Sequence, residues 1–293
     1  MKLVRLLAGL FLATSSVACV SSPSLRAEVA SESSQGQGDL RVMTFNIQSA
    51  LKGLDTVAET IRSAQPDIVA LQEVDVNTRR SNGLNQSAEL AQRTGLRHYA
   101  HFRTTTLYGG DYGVGLISRY PLESVEQFPL PVQAGTEPRT VARVIMNVHG
   151  QQVSVYVTHL TRRPFNSDVR VRQSAAIMKL MASDPRPKLL MGDMNDTPDS
   201  RSVRLFKREL MDVFALRGQG EADTYPLPVI PNLRIDYVMA CDHFMPKSSR
   251  VLRVKASDHY PVVADLTLLD PTRAPSAELV RGPRMHTPTT SSQ

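Results

Sequence analysis

The stretch Lys188-Leu-Leu-Met-Gly-Asp-Met-Asn-Asp-Thr-Pro198 decides how the chain is read. Its apolar run to Met191 has the composition of a buried strand, and Thr197-Pro198 closes it as a turn. Between them stand Asp193, Asn195 and Asp196, which are either loop formers ahead of a proline or half of a metal site. On an extended chain side chains alternate, so Asp193 and Asn195 share one face. Met194 and Asp196 then point away, and Asp196 falls to the turn. The question is whether other strands also end in polar groups.

They do. Arg41–Ile47 is rich in strand formers yet contains Asn46, a residue type depleted in strands. Ile68–Leu71 runs straight into Gln72-Glu73. Val153–His159 alternates, so His159 shares a face with Val153, Val155 and Val157. Between the Asn46 strand and the Glu73 strand, Leu54, Val57, Ala58 and Ile61 recur at helical spacing, and Pro66 stops that helix near Gln65. Between the His159 strand and the Asp193 strand, Val169–Met181 carries a second helical stripe. Two strand–helix–strand units therefore each deliver polar groups at strand ends. A sheet packed on a sheet, with helices outside, brings those ends to one rim.

The remaining elements fit that plan. Ser87–Thr94 and Val203–Leu210 read as helices, and Gly113–Ser118, Thr140–Val148, Ile235–Ala240 and Val262–Leu268 as strands. Asp236 interrupts the apolar run at Ile235–Ala240. A lone buried carboxylate costs at least a few kcal/mol, so it needs a cation or donors. Asp258-His259 stands just before the last strand.

The whole chain of 293 residues, 41% hydrophobic and 21% charged, is long enough for one large domain. Its net charge of +6 leans toward a polyanionic substrate or an acidic surface. Tryptophan is absent and aromatics are 5%, which argues against an aromatic platform for bases or a membrane-penetrating wedge. Residues 1–18 read as an export signal: Lys2 and Arg5 precede an apolar run through Ala13 too short to span a bilayer. Ser16-Val17-Ala18-Cys19 resembles a bacterial lipoprotein box. Acylation of Cys19 with membrane association, and ordinary cleavage with release, are both open. Either way the expected location is exported: periplasm, cell envelope or medium. Residues 19–38 have linker composition, 39–269 form the domain, and 270–293 have the composition of a disordered tail. Cys241, the other cysteine, reads as a small buried hydrophobe, and no Cys/His cluster has zinc spacing.

Taken together, the strand-end residues offer acids and amides for a hard cation, two histidines for proton transfer, and no thiolates. Oxygen-rich ligation favours Mg2+, Mn2+ or Ca2+ over zinc. A divalent ion with a histidine base suits hydrolysis of a phosphate ester.

The ordered set Thr44-Phe-Asn-Ile, Leu71-Gln-Glu-Val, Thr158-His-Leu, Gly192-Asp-Met-Asn, Ile235-Asp-Tyr and Ser257-Asp-His-Tyr-Pro resembles the endonuclease/exonuclease/phosphatase superfamily. That superfamily includes deoxyribonuclease I, exonuclease III, sphingomyelinases and inositol polyphosphate 5-phosphatases. The resemblance implies an α+β fold: a four-layer α/β/β/α sandwich, two packed mixed β-sheets flanked by helices, with the active site at one rim. It implies Glu73 as the principal metal ligand, with Asn46 and Asp258 at or near the metal. His259 would be the general base oriented by Asp236. Asp193 would position or activate the water, Asn195 would bind a phosphate oxygen, and His159 would stabilise the scissile phosphate or assist the leaving group. Arg139 matches a phosphate-contacting arginine, and one of Tyr108, Asp111 and Tyr112 would enter the site. Asn77-Thr-Arg-Arg-Ser81 resembles a phosphate-facing loop, with a solvated basic turn as the other reading.

The expected function is a metal-dependent phosphoesterase acting on phosphodiesters, most of all a nuclease and a monomer. Arg79, Arg80, Arg162 and Arg163 are candidates to line the cleft. Phospholipid or sphingomyelin diesters and inositol phosphates are the alternative substrates. A catalytically silent binding module on the same fold is the alternative of another class.

Overall fold

The computed structural model describes residues 38–162, 167–227 and 232–270. The proposed signal at 1–18, nearly all of the 19–38 linker and the tail beyond Asp270 lie outside them.

The first half of the chain supplies β1 (Asp39–Asn46), a 3-10 turn at Gln48–Ala50, α1 (Leu54–Ala64), β2 (Ile68–Val76), α2 (Gln86–Thr94), β3 (His98–Leu107), β4 (Gly110–Ser118), β5 (Leu122–Pro129) and β6 (Thr140–Val148). The second half supplies β7 (Gln151–His159), α3 (Ser167–Ala182), β8 (Lys188–Asp193), α4 (Arg201–Phe206), β9 (Met211–Asp212), α5 (Val213–Arg217), β10 (Gly218–Gln219), β11 (Asp236–Ala240), β12 (Phe244–Val251) and β13 (Val262–Leu268).

These strands form two sheets. One has seven strands in the order β10-β12-β13-β1-β2-β4-β3, the other six in the order β5-β6-β7-β8-β11-β9. Both are mixed. β1 and β2 run parallel, as do β7 and β8, and each of these pairs is joined through a helix, the crossover that parallel neighbours require. The other long pairings are antiparallel.

Side-chain parity builds the layers. Along β1, Leu40 and Val42 join the core between the sheets, while Met43 and Phe45 pack with Val57, Ile61 and Leu90 of α1 and α2. β2 repeats this, with Ile68 and Ala70 in the first cluster and Val69 and Leu71 in the second. β1 and β2 are thus buried on both faces, which explains their unbroken apolar runs. Ile177 and Met181 of α3 and Val203 and Phe206 of α4 join the cluster containing Tyr156 and Leu190 of the six-stranded sheet. The result is the expected α/β/β/α sandwich.

Helix ends follow capping chemistry. The Asn85 side chain accepts from Ala88 N–H, which starts α2 one residue before the expected Ser87, and Gly95 closes it in a left-handed conformation. α4 is shorter than the expected Val203–Leu210 helix, running from a Ser200 cap to Phe206. Three long strands escape the sequence reading, β3, β5 and β12, as do the two-residue strands β9 and β10. In β5 half-buried and exposed residues alternate throughout. β3 and β5 are sheet edges, where one side meets water and long apolar runs are absent.

At the end of β8, Gly192 passes so close to β7 that an added Cβ would stand 2.0 Å from the Thr158 carbonyl oxygen. Gly192→Ala is therefore expected to cost about 3 kcal/mol, near the top of the ordinary range for one substitution. Thermal unfolding measures this, and an unchanged melting temperature contradicts the close approach.

Candidate active site

Six strand-end and loop segments converge at one edge of the sandwich. The six-stranded sheet provides a row: in register, His159 on β7 neighbours Asp193 on β8, and Asp193 faces Asp236 on β11. All three are buried. The seven-stranded sheet answers with Asn46 at the end of β1, whose amide Nδ2 donates across the sandwich to Asp193 Oδ2 (3.2 Å) and within its own sheet to Glu73 Oε1 (3.1 Å). Asn46 Oδ1 accepts from the Gln48 backbone N–H (3.1 Å), and that N–H can only donate. The amide is therefore oriented: Asn46 turns its nitrogen to the two carboxylates and braces them.

Glu73 is not the end of its strand. β2 runs on to Val76, and pairing with β4 slips between Leu71 and Val74, leaving Gln72 and Glu73 as a bulge. Glu73 takes φ +56, a conformation non-glycine residues adopt at a cost. The bulge leaves Glu73 half-exposed within an otherwise buried strand, which puts its carboxylate at the rim.

His259 is held on three sides. Its Nδ1 lies 2.9 Å from Asp236 Oδ2, and its backbone N–H donates to Ser257 Oγ (3.2 Å). The Tyr225 ring tilts against its imidazole with centroids 4.7 Å apart. Ser257 Oγ in turn donates to the Asn46 carbonyl (2.7 Å), and Lys52 Nζ to the Ser257 carbonyl (2.7 Å), tying this loop to β1. Thr224 Oγ1 accepts from the Ile235 and Asp236 N–H groups (3.0 and 3.1 Å), anchoring the start of β11. Asp258 is half-buried, with Ser257 Oγ 3.2 Å from its Oδ1. None of Thr224, Tyr225, Ser257 and Lys52 is a sequence candidate. Thr224-Tyr225 stands in a loop with no pattern to mark it.

His159 has a defined tautomer. Arg139 Nη1 lies 3.3 Å from His159 Nδ1, and a guanidinium can only donate, so Nδ1 carries the lone pair and Nε2 the hydrogen. Burial first, and then the Arg139 charge, hold its pKa well below the ordinary value, so the ring is neutral. Glu137 Oε1 fixes Arg139 from the other side at 3.0 Å. The guanidinium sequence reading assigned to a phosphate is thus a partner of Glu137 and His159. His159 Nε2 is 3.4 Å from Asp193 Oδ2 but makes no hydrogen bond, and Asp236 Oδ1 also has none. Buried polar atoms without partners are uncommon, and these two stand beside the same carboxylate.

Electrostatics follow from this crowding. Burial and the facing Asp236 push the Asp193 carboxyl well above the usual carboxylate range. Burial alone would lower His259, but Asp236, aided by Asp193 and Asp258, overrides it and raises the imidazole to about 10. Among Tyr108, Asp111 and Tyr112, the buried Tyr112 is the one under the field of Glu73, and burial and that carboxylate hold its phenol neutral. Asp111 sits 3.6 Å from Arg103, and exposed Tyr108 stacks on Arg80 at 4.6 Å.

Two expectations are corrected. Asn195 does not extend the strand: β8 ends at Asp193, Asn195 turns left-handed (φ +49), and its N–H donates to Asp193 Oδ1 (2.8 Å) while its Nδ2 donates to the Leu160 carbonyl (3.0 Å). The 77–81 segment is a turn with Asn77 and Arg79 exposed, but Thr78 and Ser81 are buried and Arg80 is not free for phosphate. Arg80 is committed to the buried Asp75 at 2.6 and 2.8 Å and to Ser49 at 2.6 Å. Asp196 behaves as a turn residue, accepting from Arg170 Nε (2.9 Å) and Ser202 Oγ (2.7 Å). Arg163 lies outside the described residues.

The donor set fits a hard divalent ion. Glu73 and Asp258 offer half-buried carboxylates, and the cluster of Asp193, Asp236 and His259 brings ligand atoms within 4.8 Å of one another.

Residues 43–259 match the model of the Endonuclease/Exonuclease/phosphatase family, which covers well over half of the chain. The chain belongs to this family. An endonuclease/exonuclease/phosphatase structure from Beutenbergia cavernae is similar at 27% identity, with 79% of this chain and 72% of that one covered and a TM-score of 0.67. The fold is also shared with a mannosyl-6-phosphatase of Bacteroides thetaiotaomicron (17% identity, 78% and 99% covered, TM-score 0.64). It is shared again with the human Nocturnin catalytic domain with bound sulfate (19% identity, 78% and 94% covered, TM-score 0.62). No curated protein matches significantly.

The opposed carboxylates predict a trade of stability for activity. Asp193→Asn removes a buried like charge from beside Asp236, so the melting temperature is expected to rise while phosphoesterase activity falls by about 1,000-fold. Asp196→Ala is expected to do the reverse, losing stability and keeping turnover. A destabilised Asp193→Asn protein contradicts the charge argument. A two-bond nitrogen–proton spectrum of the metal-free protein at neutral pH is expected to show His159 as the Nε2–H tautomer and His259 doubly protonated. Because the folded His259 value is raised, its ion pair adds stability below the free-histidine value of 6.5 and loses it as pH climbs through about 10.

Proposed function

We propose that the protein is an exported, divalent-metal-dependent phosphodiesterase with nuclease-like chemistry. The observation that carries this is the row of His159, Asp193 and Asp236 with His259 Nε2 3.8 Å from Asp193 Oδ2, facing Glu73 and Asn46 across the rim.

Each group has a chemical task. Glu73 and Asp258 would hold the divalent ion, and Asn46 keeps Glu73 and Asp193 aimed at it. A bound divalent ion supplies charge neutralisation for the phosphate and its transition state. His259 takes the proton of the attacking water at Nε2, since Nδ1 is engaged by Asp236. The imidazolium that forms is stabilised by that same carboxylate. His259 would reach its neutral, basic form more readily once the Asp258 charge beside it is neutralised. Asp193, between the two Nε2 atoms, accepts from the water and orients it. His159 Nε2–H is a fixed neutral donor for a phosphate or leaving-group oxygen, and Asn195 lies beside it through the Leu160 carbonyl. Arg139 acts through His159 as a positioning residue.

A diester substrate is supported by exposed cations. Arg162 reaches Tyr225, the residue stacked on His259, and exposed Arg79 lies against Gly109 in the turn between β3 and β4. Export and acylation of Cys19 remain part of the proposal on the strength of the sequence alone.

With Mg2+, the purified protein is expected to hydrolyse bis(p-nitrophenyl) phosphate and plasmid DNA, and to lose both activities with chelator. Glu73→Ala and His259→Ala are expected to lower turnover by about 100-fold or more. Parallel assays on sphingomyelin, an inositol phosphate and a sugar monophosphate identify the substrate class. If neither substitution changes the rate, the assigned roles are wrong.

A further inference from the structure

The end of the molecule away from this rim carries a second cluster that the phosphoesterase chemistry does not use. β11 starts at Asp236 and ends at Ala240, so the next residue, Cys241, stands at the opposite end of that strand. Five residues of extended chain separate the two places by roughly 16 Å. Cys241, Asp242 and His243 bring one ligand atom each to within 4.8 Å of one another.

The geometry around sulfur is specific. His243 Nδ1 lies 3.5 Å from Cys241 Sγ and 3.2 Å from Asp242 Oδ1. A tetrahedral ion with bonds of about 2.3 Å to sulfur and about 2.0 Å to nitrogen or oxygen holds S and N about 3.5 Å apart, and N and O about 3.3 Å apart. The observed separations are those of two edges of such a tetrahedron. The sulfur is also treated as an acceptor from outside the cluster: the Lys188 backbone N–H donates to Sγ at 3.1 Å. The same Lys188 returns its carbonyl to the Cys241 N–H at 3.0 Å, locking the thiol onto the start of β8. Burial pushes the Cys241 thiol up and the Lys188 donor only partly offsets this, so an ion must displace the thiol proton as it binds, and the geometry carries the assignment.

The site is open on one side. Cys241 is buried, but Asp242 is exposed and His243 half-exposed. All three line a pocket of ≈ 1170 Å³ whose walls include Met178, Leu205 and Met211. An ion can reach the cluster from this pocket, and water there can complete its coordination.

We propose that Cys241, Asp242 and His243 bind a borderline-soft divalent transition ion of the zinc class, with a fourth position left to solvent. Cys241 is buried in the core, as expected from the sequence, and the proposal adds a ligand role to that position. Sulfur and imidazole select against magnesium, so this site and the oxygen-rich rim bind different ions. All three ligands lie in the β11–β12 turn, which the Lys188 backbone already holds against the first residue of β8, the strand whose other end is Asp193.

Titration of the full chain with Co2+ tests this. The wild type is expected to gain a near-ultraviolet thiolate-to-cobalt band that saturates at one ion per chain and persists in Glu73→Ala. Cys241→Ser is expected to lose the band, and His243→Ala to weaken binding at least about tenfold. As a measurement that needs no variant, Zn2+ is expected to slow alkylation of Cys241 while Mg2+ at the same concentration does not. A band of equal strength in Cys241→Ser, or alkylation indifferent to Zn2+, overturns the proposal.

Discussion

Two carboxylates face each other across adjacent strands with water excluded, and the rest of the active edge is a response to that. Asp193 and Asp236 are register partners on β8 and β11, each about 1% exposed. Like charges this close and this buried repel, so the fold must supply positive charge and donors or leave a proton behind. It supplies His259 to Asp236, Asn46 Nδ2 and the Asn195 N–H to Asp193, and leaves Asp193 with a raised pKa. A phosphoesterase needs that condition. The same carboxylates that crowd the edge hold the His259 imidazolium and favour bound positive charge.

The sandwich makes the arrangement affordable by distributing it over many elements. The row His159–Asp193–Asp236 is fixed by strand register, which cannot slip by one residue without turning the core face of β8 outward. The facing groups come from the other sheet, and Asn46 bridges the two. Its donor pair to Glu73 and Asp193 therefore does double duty, joining the sheets at their rim and setting the spacing between the two carboxylates. Backbone strain at Glu73 is tolerated because β2 is buried and paired on both sides of the bulge.

The sequence shows this plan well where chemistry and burial coincide. Asn46, His159, Asp193 and Asp236 interrupt apolar runs, so each was visible as an anomaly, and the same runs defined β1, β2, β7, β8 and β11. Edge strands β3 and β5 were invisible for the converse reason: half-solvated, they carry Glu, Gln, Thr and Arg in place of apolar runs. The Asn195 error has a definite cause. Parity holds only while the chain stays extended, and the Asp193 carboxylate captures the Asn195 N–H and ends the strand. Tyr225 and Thr224 reach the site by loop packing, which leaves no periodic trace.

Net charge is the weakest guide of all. The excess of basic residues pointed toward a polyanion, yet the arginines nearest the chemistry are mostly spent inside the fold. Arg80 neutralises buried Asp75, Arg139 fixes Glu137 and the His159 tautomer, Arg170 secures Asp196, and Arg234 clamps Asp212. Each cancels a buried or half-buried acid, an internal bookkeeping that a formal charge count cannot separate from a field offered to a ligand. Among the described residues, exposed Arg162 stands beside Tyr225 at this edge, and exposed Arg79 stands against the Tyr108–Gly109 turn. An exposed charge beside the deep carboxylate row suits the proposed diester, whose chain runs on past the scissile phosphate, better than a single terminal phosphate. That placement, rather than the overall charge, is the physical basis for favouring a diester.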